Sequence, residues 1–246
     1  MIIAISGKID SGKDTIGKII QFLDALQKHS DIQPTFEEFC LLSEEEIADN
    51  PYLDDSISNW QIKKFAGVLK DYVCLATNCT REQLEDNDFK NQELGEEWRQ
   101  IGSELLTRRK MLQLIGTEAI RNNVHSNFWV NALFTKYIGD NVFTVTEVDG
   151  MSGTQELVYP NWIITDMRFP NEMQAVKERG GITIRVERNV TKDGKPIIRE
   201  NEHESETVLD EFPFHYIIDN GYNLKLLIEL VREILVKEQL IDDTKS

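Results

Sequence analysis

Residues 1–15 read MIIAISGKIDSGKDT, and the fold of the chain turns on them. Met1 to Ser6 is a short apolar run of the kind that makes a strand buried on both faces. Thr15 to Lys28 then carries Ile16, Ile19, Ile20, Leu23 and Leu26 at helical spacing. Between them, Gly7-x-x-x-x-Gly12-Lys13 is the phosphate-loop pattern in the strand, turn, helix context that gives it meaning. Glycines let the backbone curl so that successive N–H groups face one anion, the helix N-terminus adds partial positive charge, and Lys13 can bridge the outer phosphates. The stretch predicts a nucleoside triphosphate site made of Gly7, Asp10, Ser11, Gly12, Lys13, Asp14 and Thr15.

Asp14 stands where such loops normally offer Ser or Thr to magnesium, and Thr15 supplies a hydroxyl one residue later. An unscreened carboxylate a few ångströms from a phosphate repels it by roughly 4 kcal/mol per charge pair at an effective dielectric near 20. A cation between them removes that cost. The expectation is therefore a metal site at Asp14 and Thr15, with Asp14 holding Mg2+ directly or through water.

The chain has 246 residues, 40% of them hydrophobic, enough for one domain with elaborations. Its formal charge of −16 argues against the broad basic surface that a nucleic-acid binder needs. An anionic ligand must be held by a few local cations. Cys40, Cys74 and Cys79 are odd in number and lack paired metal-ligand spacing, which fits a reduced cytoplasmic setting. No charged-then-apolar signal segment is readable, and no apolar run approaches the roughly 18 to 20 residues that span a bilayer. The expectation is a soluble protein with no membrane and no nucleic-acid partner.

Ile62 to Phe65, Trp162 to Thr165, Ile182 to Val186 and His215 to Asp219 read as further strands. Helices are expected over Asn171 to Glu178 and Leu224 to Leu240, and Phe143 to Val148 with Gln155 to Tyr159 reads as a β-hairpin. Short strands separated by helices predict an α/β P-loop NTPase fold, a parallel five-stranded sheet with helices on both faces. The organisation expected is a single P-loop domain over 1–246. Its core is 1–30, 60–75 and 160–246, with a substrate-binding helical region at 76–140 and a hairpin at 142–160. An acidic insertion at 31–58, free of Lys and Arg, is either a solvated excursion or a partner-binding arm.

An acceptor needs its own anion site. Lys64 and Lys70 flank a strand-to-helix junction, and Gln113, Thr117 and Arg121 recur every four residues on one helix face, a stripe suited to a base and a phosphate. Trp129 is either a stacking surface for a nucleobase or a core residue. Asp166 ends an apolar strand, where parallel sheets bind ligands. Arg168 beside it can fork onto a phosphate, and Glu172 can steady the arginine. Arg185 and Arg188 bracket the end of the next strand, Asn189 to Asn201 can act as a lid, and His203 is either functional or a plain loop histidine. Asn220-Gly221 suits a turn against adenine.

Together SGKIDSGKDT (Ser6 to Thr15), KFAGVLKD (Lys64 to Asp71), LQLIGTEAIR (Leu112 to Arg121), the Trp129 region, TDMRFPNE (Thr165 to Glu172), HESE (His203 to Glu206) and IDNG (Ile218 to Gly221) resemble the phage deoxynucleoside monophosphate kinase family. The motifs fall in the family's order and cover most of the chain, which departs from the pattern at the acidic insertion and the hairpin. The resemblance implies transfer of the γ-phosphoryl group of ATP, with Mg2+, to a deoxynucleoside 5′-monophosphate (dNMP). It implies catalytic roles for Lys13, Asp166 and Arg168, with Arg121 on the acceptor phosphate and Arg188 as a lid cation. A homodimer would also match the family. Two rival readings share the donor loop: a kinase of another small metabolite, such as dephospho-coenzyme A or phosphomevalonate, and an ATPase acting on a protein partner.

Overall fold

The computed structural model describes residues 1–28, 34–41, 58–99, 105–145, 153–190, 197, 207–221 and 223–243. Most of the acidic insertion, most of the expected lid, the hairpin turn and all of His203 to Glu206 lie outside them. The chain forms two compact units, Met1–Lys63 with Ile138–Ser246, and Lys64–Tyr137.

The first unit is built on a five-stranded parallel sheet. Its strands are β1 (Ile2–Gly7), β2 (Trp60–Lys63), β5 (Asn161–Met167), β6 (Ile182–Glu187) and β7 (Tyr216–Asp219), in the order β2-β5-β1-β6-β7. β1 is central and buried along its whole length, as an apolar run with helices on both sides must be. Side chains alternate across it. Ile3 and Ile5 join the core beneath α1 (Lys13–Lys28) and α9 (Leu224–Lys237), together with Phe36 and Phe39 of α2 (Phe36–Leu41). Ile2 points to the other face, where α8 (Pro170–Lys177) packs against β1 and β6.

Two strand readings shift. β2 begins at Trp60 rather than Ile62, because the buried indole of Trp60 anchors its start. The hairpin is β3 (Asp140–Val145) on β4 (Gly153–Val158), three residues earlier on its first arm than the sequence suggested. β5 carries an irregularity that no hydrophobic pattern reveals. Ala4 of β1 pairs with Ile164 but Ser6 pairs with Met167, so one extra residue is accommodated around Thr165 and Asp166. Such bulges re-aim side chains next to sites.

The second unit is helical, with α3 (Gly67–Thr77), α4 (Arg81–Glu85), α5 (Asn87–Asn91), α6 (Arg108–Gln113) and α7 (Phe128–Phe134). Its own core gathers Val73, Leu84, Leu94 and Met111. Leu114–Arg121 continues α6 as a π-helix, in which the Asn122 N–H bonds to Thr117, five residues back. Gln113, Thr117 and Arg121 stay close to one face, since a four-residue step falls slightly short of a π turn instead of slightly past an α turn.

Candidate active site

The phosphate loop leaves the carboxyl end of β1, the central strand, where parallel sheets open their ligand crevice. Its shape depends on Asp10 and Gly12, with φ of 59° and 97°. Gly12 is required twice over, because a Cβ there would also stand 2.3 Å from the side-chain nitrogen of Asn220. Asn220 follows β7 and donates that nitrogen to the Ser11 carbonyl at 2.8 Å, while its own N–H bonds to Glu187 at 2.7 Å. The end of the last sheet strand thus clamps the loop. Arg188 approaches the same loop, donating to the Asp10 carbonyl at 3.4 Å and to Val190 at 3.1 Å.

α1 begins at Lys13, so the N–H groups of its first turn open toward the loop. The Lys13 ammonium bridges the loop mouth, donating to the carbonyls of Gly7 at 2.7 Å and Lys8 at 2.6 Å. Burial pushes it down to about 8, the charges of Arg168 and Arg185 push the same way, and Asp14 and Asp166 oppose them. Lys13, Asp14, Asp166 and Arg168 therefore share one electrostatic neighbourhood, although Asp14 and Asp166 are 152 positions apart in the sequence. The Asp14 carboxylate is exposed yet oriented, since its Oδ1 accepts the Thr165 hydroxyl at 2.6 Å.

Glu172 is 2% exposed, and its Oε2 accepts the backbone N–H groups of Arg168 at 2.8 Å and Phe169 at 3.1 Å. It closes the start of α8 and fixes the main chain of Arg168 from beneath. Trp129 also lies behind the surface. It is 3% exposed, packs edge-on against Phe128, and donates its indole N–H to the Gly116 carbonyl at 2.8 Å. The indole braces the π-helix that carries Thr117 and Arg121. Gln113, Thr117, Arg121, Lys64 and Lys70 all lie half-buried in the helical unit.

Arg185 is a cation within the apolar strand Ile182-Thr-Ile-Arg-Val186. It is 6% exposed, donates to the Ser6 hydroxyl at 3.2 Å, and pairs with Asp210, whose other oxygen stands 3.6 Å from the Lys8 ammonium. Thr165 gave no signal at all, because a hydroxyl inside a strand has many uses.

The site is one of hard oxygen donors with few protein ligands. Among the described residues no group of three or more His, Cys, Asp or Glu could hold a metal, and Asp14 with the Thr15 hydroxyl would furnish a minority of the ligands of a magnesium ion. That suits Mg2+, which keeps waters and takes phosphate oxygens. No helix among the described residues is long and apolar enough to cross a membrane.

No curated protein matches the chain. The family model for deoxynucleotide monophosphate kinase matches residues 62–231, from β2 into α9, more than half of the sequence. With β1 and the phosphate loop lying ahead of the matched span, and β5, β6, β7, Asp166 and Arg168 inside it, the chain belongs to the deoxynucleotide monophosphate kinase family.

Proposed function

We propose that the protein transfers the γ-phosphoryl group of ATP to the 5′-phosphate of a deoxynucleoside monophosphate, giving a deoxynucleoside diphosphate and ADP. The observation that carries this reading is the meeting of a Lys13 phosphate loop with Asp166 and Arg168, the latter two within the span of the family match. An acceptor phosphate oxygen forms the new bond to the γ-phosphorus as the bond to the β,γ-bridging oxygen of ATP breaks. That oxygen is already ionised, so no protein base or nucleophile is needed.

The work is positioning and charge neutralisation. Loop amides from Gly7 to Thr15 and the Lys13 ammonium hold the donor phosphates. Once phosphates bind, Lys13 exchanges its loop carbonyls for phosphate oxygens. Arg168 forks onto the transferring or accepting phosphate, held by Glu172 at its backbone, and Asp166 orients the reacting groups. Mg2+, held by Asp14 and Thr15, would neutralise charge on the donor oxygens. Thr165 keeps the Asp14 carboxylate aimed for that task. Gln113, Thr117 and Arg121 take the acceptor, and Lys64 and Lys70 add positive charge. Arg188 serves the segment over the loop, and Asn220 serves ATP through the loop it holds. The free thiols Cys40, Cys74 and Cys79 suit a reducing cytoplasm, and assembly as a homodimer is part of the same reading.

The experiment is an acceptor panel of all common deoxy- and ribonucleoside monophosphates, dephospho-coenzyme A and phosphomevalonate, with coupled ADP detection and a magnesium-free control. ADP release that requires both a deoxynucleoside monophosphate and Mg2+ is expected. Release independent of any small acceptor would replace this reading with an ATPase, and release with only the other metabolites would move the substrate class.

A further inference from the structure

The turn within the phosphate loop is held at both ends. Lys8 and Ser11 are its first and last residues, and the Ser11 N–H donates to the Lys8 carbonyl at 3.2 Å across Asp10, with its φ of 59°. That same carbonyl and the one of Gly7 seat the Lys13 ammonium. Asn220 grips the Ser11 end. The Lys8 end is gripped through its side chain, whose ammonium stands 3.6 Å from Oδ2 of Asp210.

Asp210 is itself fixed. It lies on a turn in which its own N–H bonds to Thr207 at 2.9 Å and that of Phe212 to Leu209 at 3.2 Å, with the Leu209 side chain buried. Its Oδ1 accepts from the Arg185 guanidinium, which also donates to the Ser6 hydroxyl at 3.2 Å. Ser6 and Arg185 are direct partners in the register of β1 on β6. The contacts therefore run Ser6, Arg185, Asp210, Lys8, and end two positions from where they began. They frame Gly7, where a Cβ would stand 2.6 Å from the Val186 carbonyl.

Stability does not account for this arrangement. A buried guanidinium inside an apolar strand loses its water, and a buried ion pair is commonly no more stable than aliphatic side chains of the same volume. The Lys8 pair is partly exposed, and such pairs contribute little. What the contacts do supply is direction. The planar fork of Arg185 orients the carboxylate, and the carboxylate orients Lys8. A carboxylate this close to a phosphate loop would repel the donor unless its charge were covered, and Arg185 and Lys8 cover it.

We propose that Arg185 and Asp210 are positioning residues for the phosphate donor: they hold the Lys8 end of the turn, as Asn220 holds the Ser11 end, so that the loop has its phosphate-binding shape before ATP arrives. This rests on the reading of the loop as the ATP site. Both residues act through Ser6 and Lys8 and not through contact with the nucleotide. A loop already ordered loses less freedom on binding, and the difference appears as affinity.

The test compares the wild type with Asp210→Asn and with the double variant Arg185→Met/Asp210→Asn. Titration calorimetry gives the Kd of ATP with Mg2+ and, separately, of the best acceptor of the panel, and thermal melts give stability. Asp210→Asn leaves the Arg185 charge buried without its carboxylate, so it should melt below the wild type and bind ATP at least fivefold more weakly. The double variant removes both charges. It should regain the melting temperature of the wild type while ATP stays at least fivefold weaker and the acceptor within twofold. A chain as stable as the wild type that binds its donor poorly is not explained by unfolding. ATP binding within twofold of the wild type in the double variant overturns the proposal, by leaving the pair a structural role alone. Tighter ATP binding in Asp210→Asn also overturns it, by making the carboxylate only a charge set against the phosphates, and so does an equal weakening of ATP and acceptor. If the double variant does not melt cooperatively, Ser6→Ala decides, because it cuts the tie to β1 with every charge kept: ATP weaker by threefold or more supports the proposal, and an unchanged Kd overturns it. A wild type that binds ATP but phosphorylates no deoxynucleoside monophosphate ends the kinase reading alone, and the ATP titrations still decide the roles of Arg185 and Asp210. A wild type that binds no ATP overturns both.

Discussion

The hydroxyl of Thr165, in the irregular stretch of β5, donates to Oδ1 of Asp14, in the first turn of α1, at 2.6 Å. The bond fixes one oxygen of a carboxylate that stands exposed at the start of the helix. Gly17, one turn on, makes the approach feasible: a Cβ there would lie 2.9 Å from the Thr165 methyl group. Thr165→Val keeps the buried shape and removes the donor. A hydrogen bond to a charged group contributes about 1.5–3 kcal/mol. Turnover is therefore expected to fall about tenfold, with a higher Mg2+ requirement, in a coupled assay titrated with magnesium.

Lys13 sets a pH dependence whose sign follows from its environment. Its ammonium titrates near 8 in the folded chain, against 10.5 ordinarily, because burial and then Arg168 disfavour its charge. Between those values the unfolded chain binds more protons, so stability rises with pH there. The cost is fully present below about pH 8 and is relieved by about pH 10.5. Lys13→Met should therefore stabilise the ligand-free protein at pH 7, by at most roughly 3 kcal/mol, while ATP binding is lost. Melting curves at pH 7 and pH 10 check this, since the gain should shrink at the higher pH. In the wild type, ATP should bind with proton uptake above about pH 8, read by calorimetry in buffers of different ionisation enthalpy.

Trp129→Phe separates the indole N–H from the ring. The ring volume stays nearly filled, but the Gly116 carbonyl loses its donor inside the helical unit. An unsatisfied buried acceptor costs about 1–3 kcal/mol. Denaturant melts should show that loss. The KM for the acceptor should rise severalfold as the π-helix loosens around Thr117, with the KM for ATP unchanged; equal rises in both would make the brace a general one.

The sheet was legible because its signals are local. An apolar run followed by Gly7 to Lys13 declares β1, loop and α1 within 28 residues, and β5, β6 and β7 each stand out between polar stretches. Asp166 and Arg168 stand out as candidates for the same reason, at the end of a readable strand. What escaped depends on pairing. The extra residue in β5 exists only relative to β1, and the Thr165 contact with Asp14 exists only because of it. The π-helix hides because Gln113, Thr117 and Arg121 show the same four-residue spacing in either winding. Trp129 carries both readings in the sequence, which cannot show how deeply the fold buries it.

Ser11 and Asn220 are separated by 209 positions, yet the hydrogen bond between them shapes the loop that meets the nucleotide first. A ribosome makes the loop early and its clamp late. Contacts between distant segments form only after the intervening chain has been ordered. Until β7 has docked beside β6, the loop lacks the brace behind Gly12, and a chain truncated before residue 220 carries the motif without its finished shape. On the kinase reading, nucleotide affinity reports on completion of the whole sheet as well as on the motif itself.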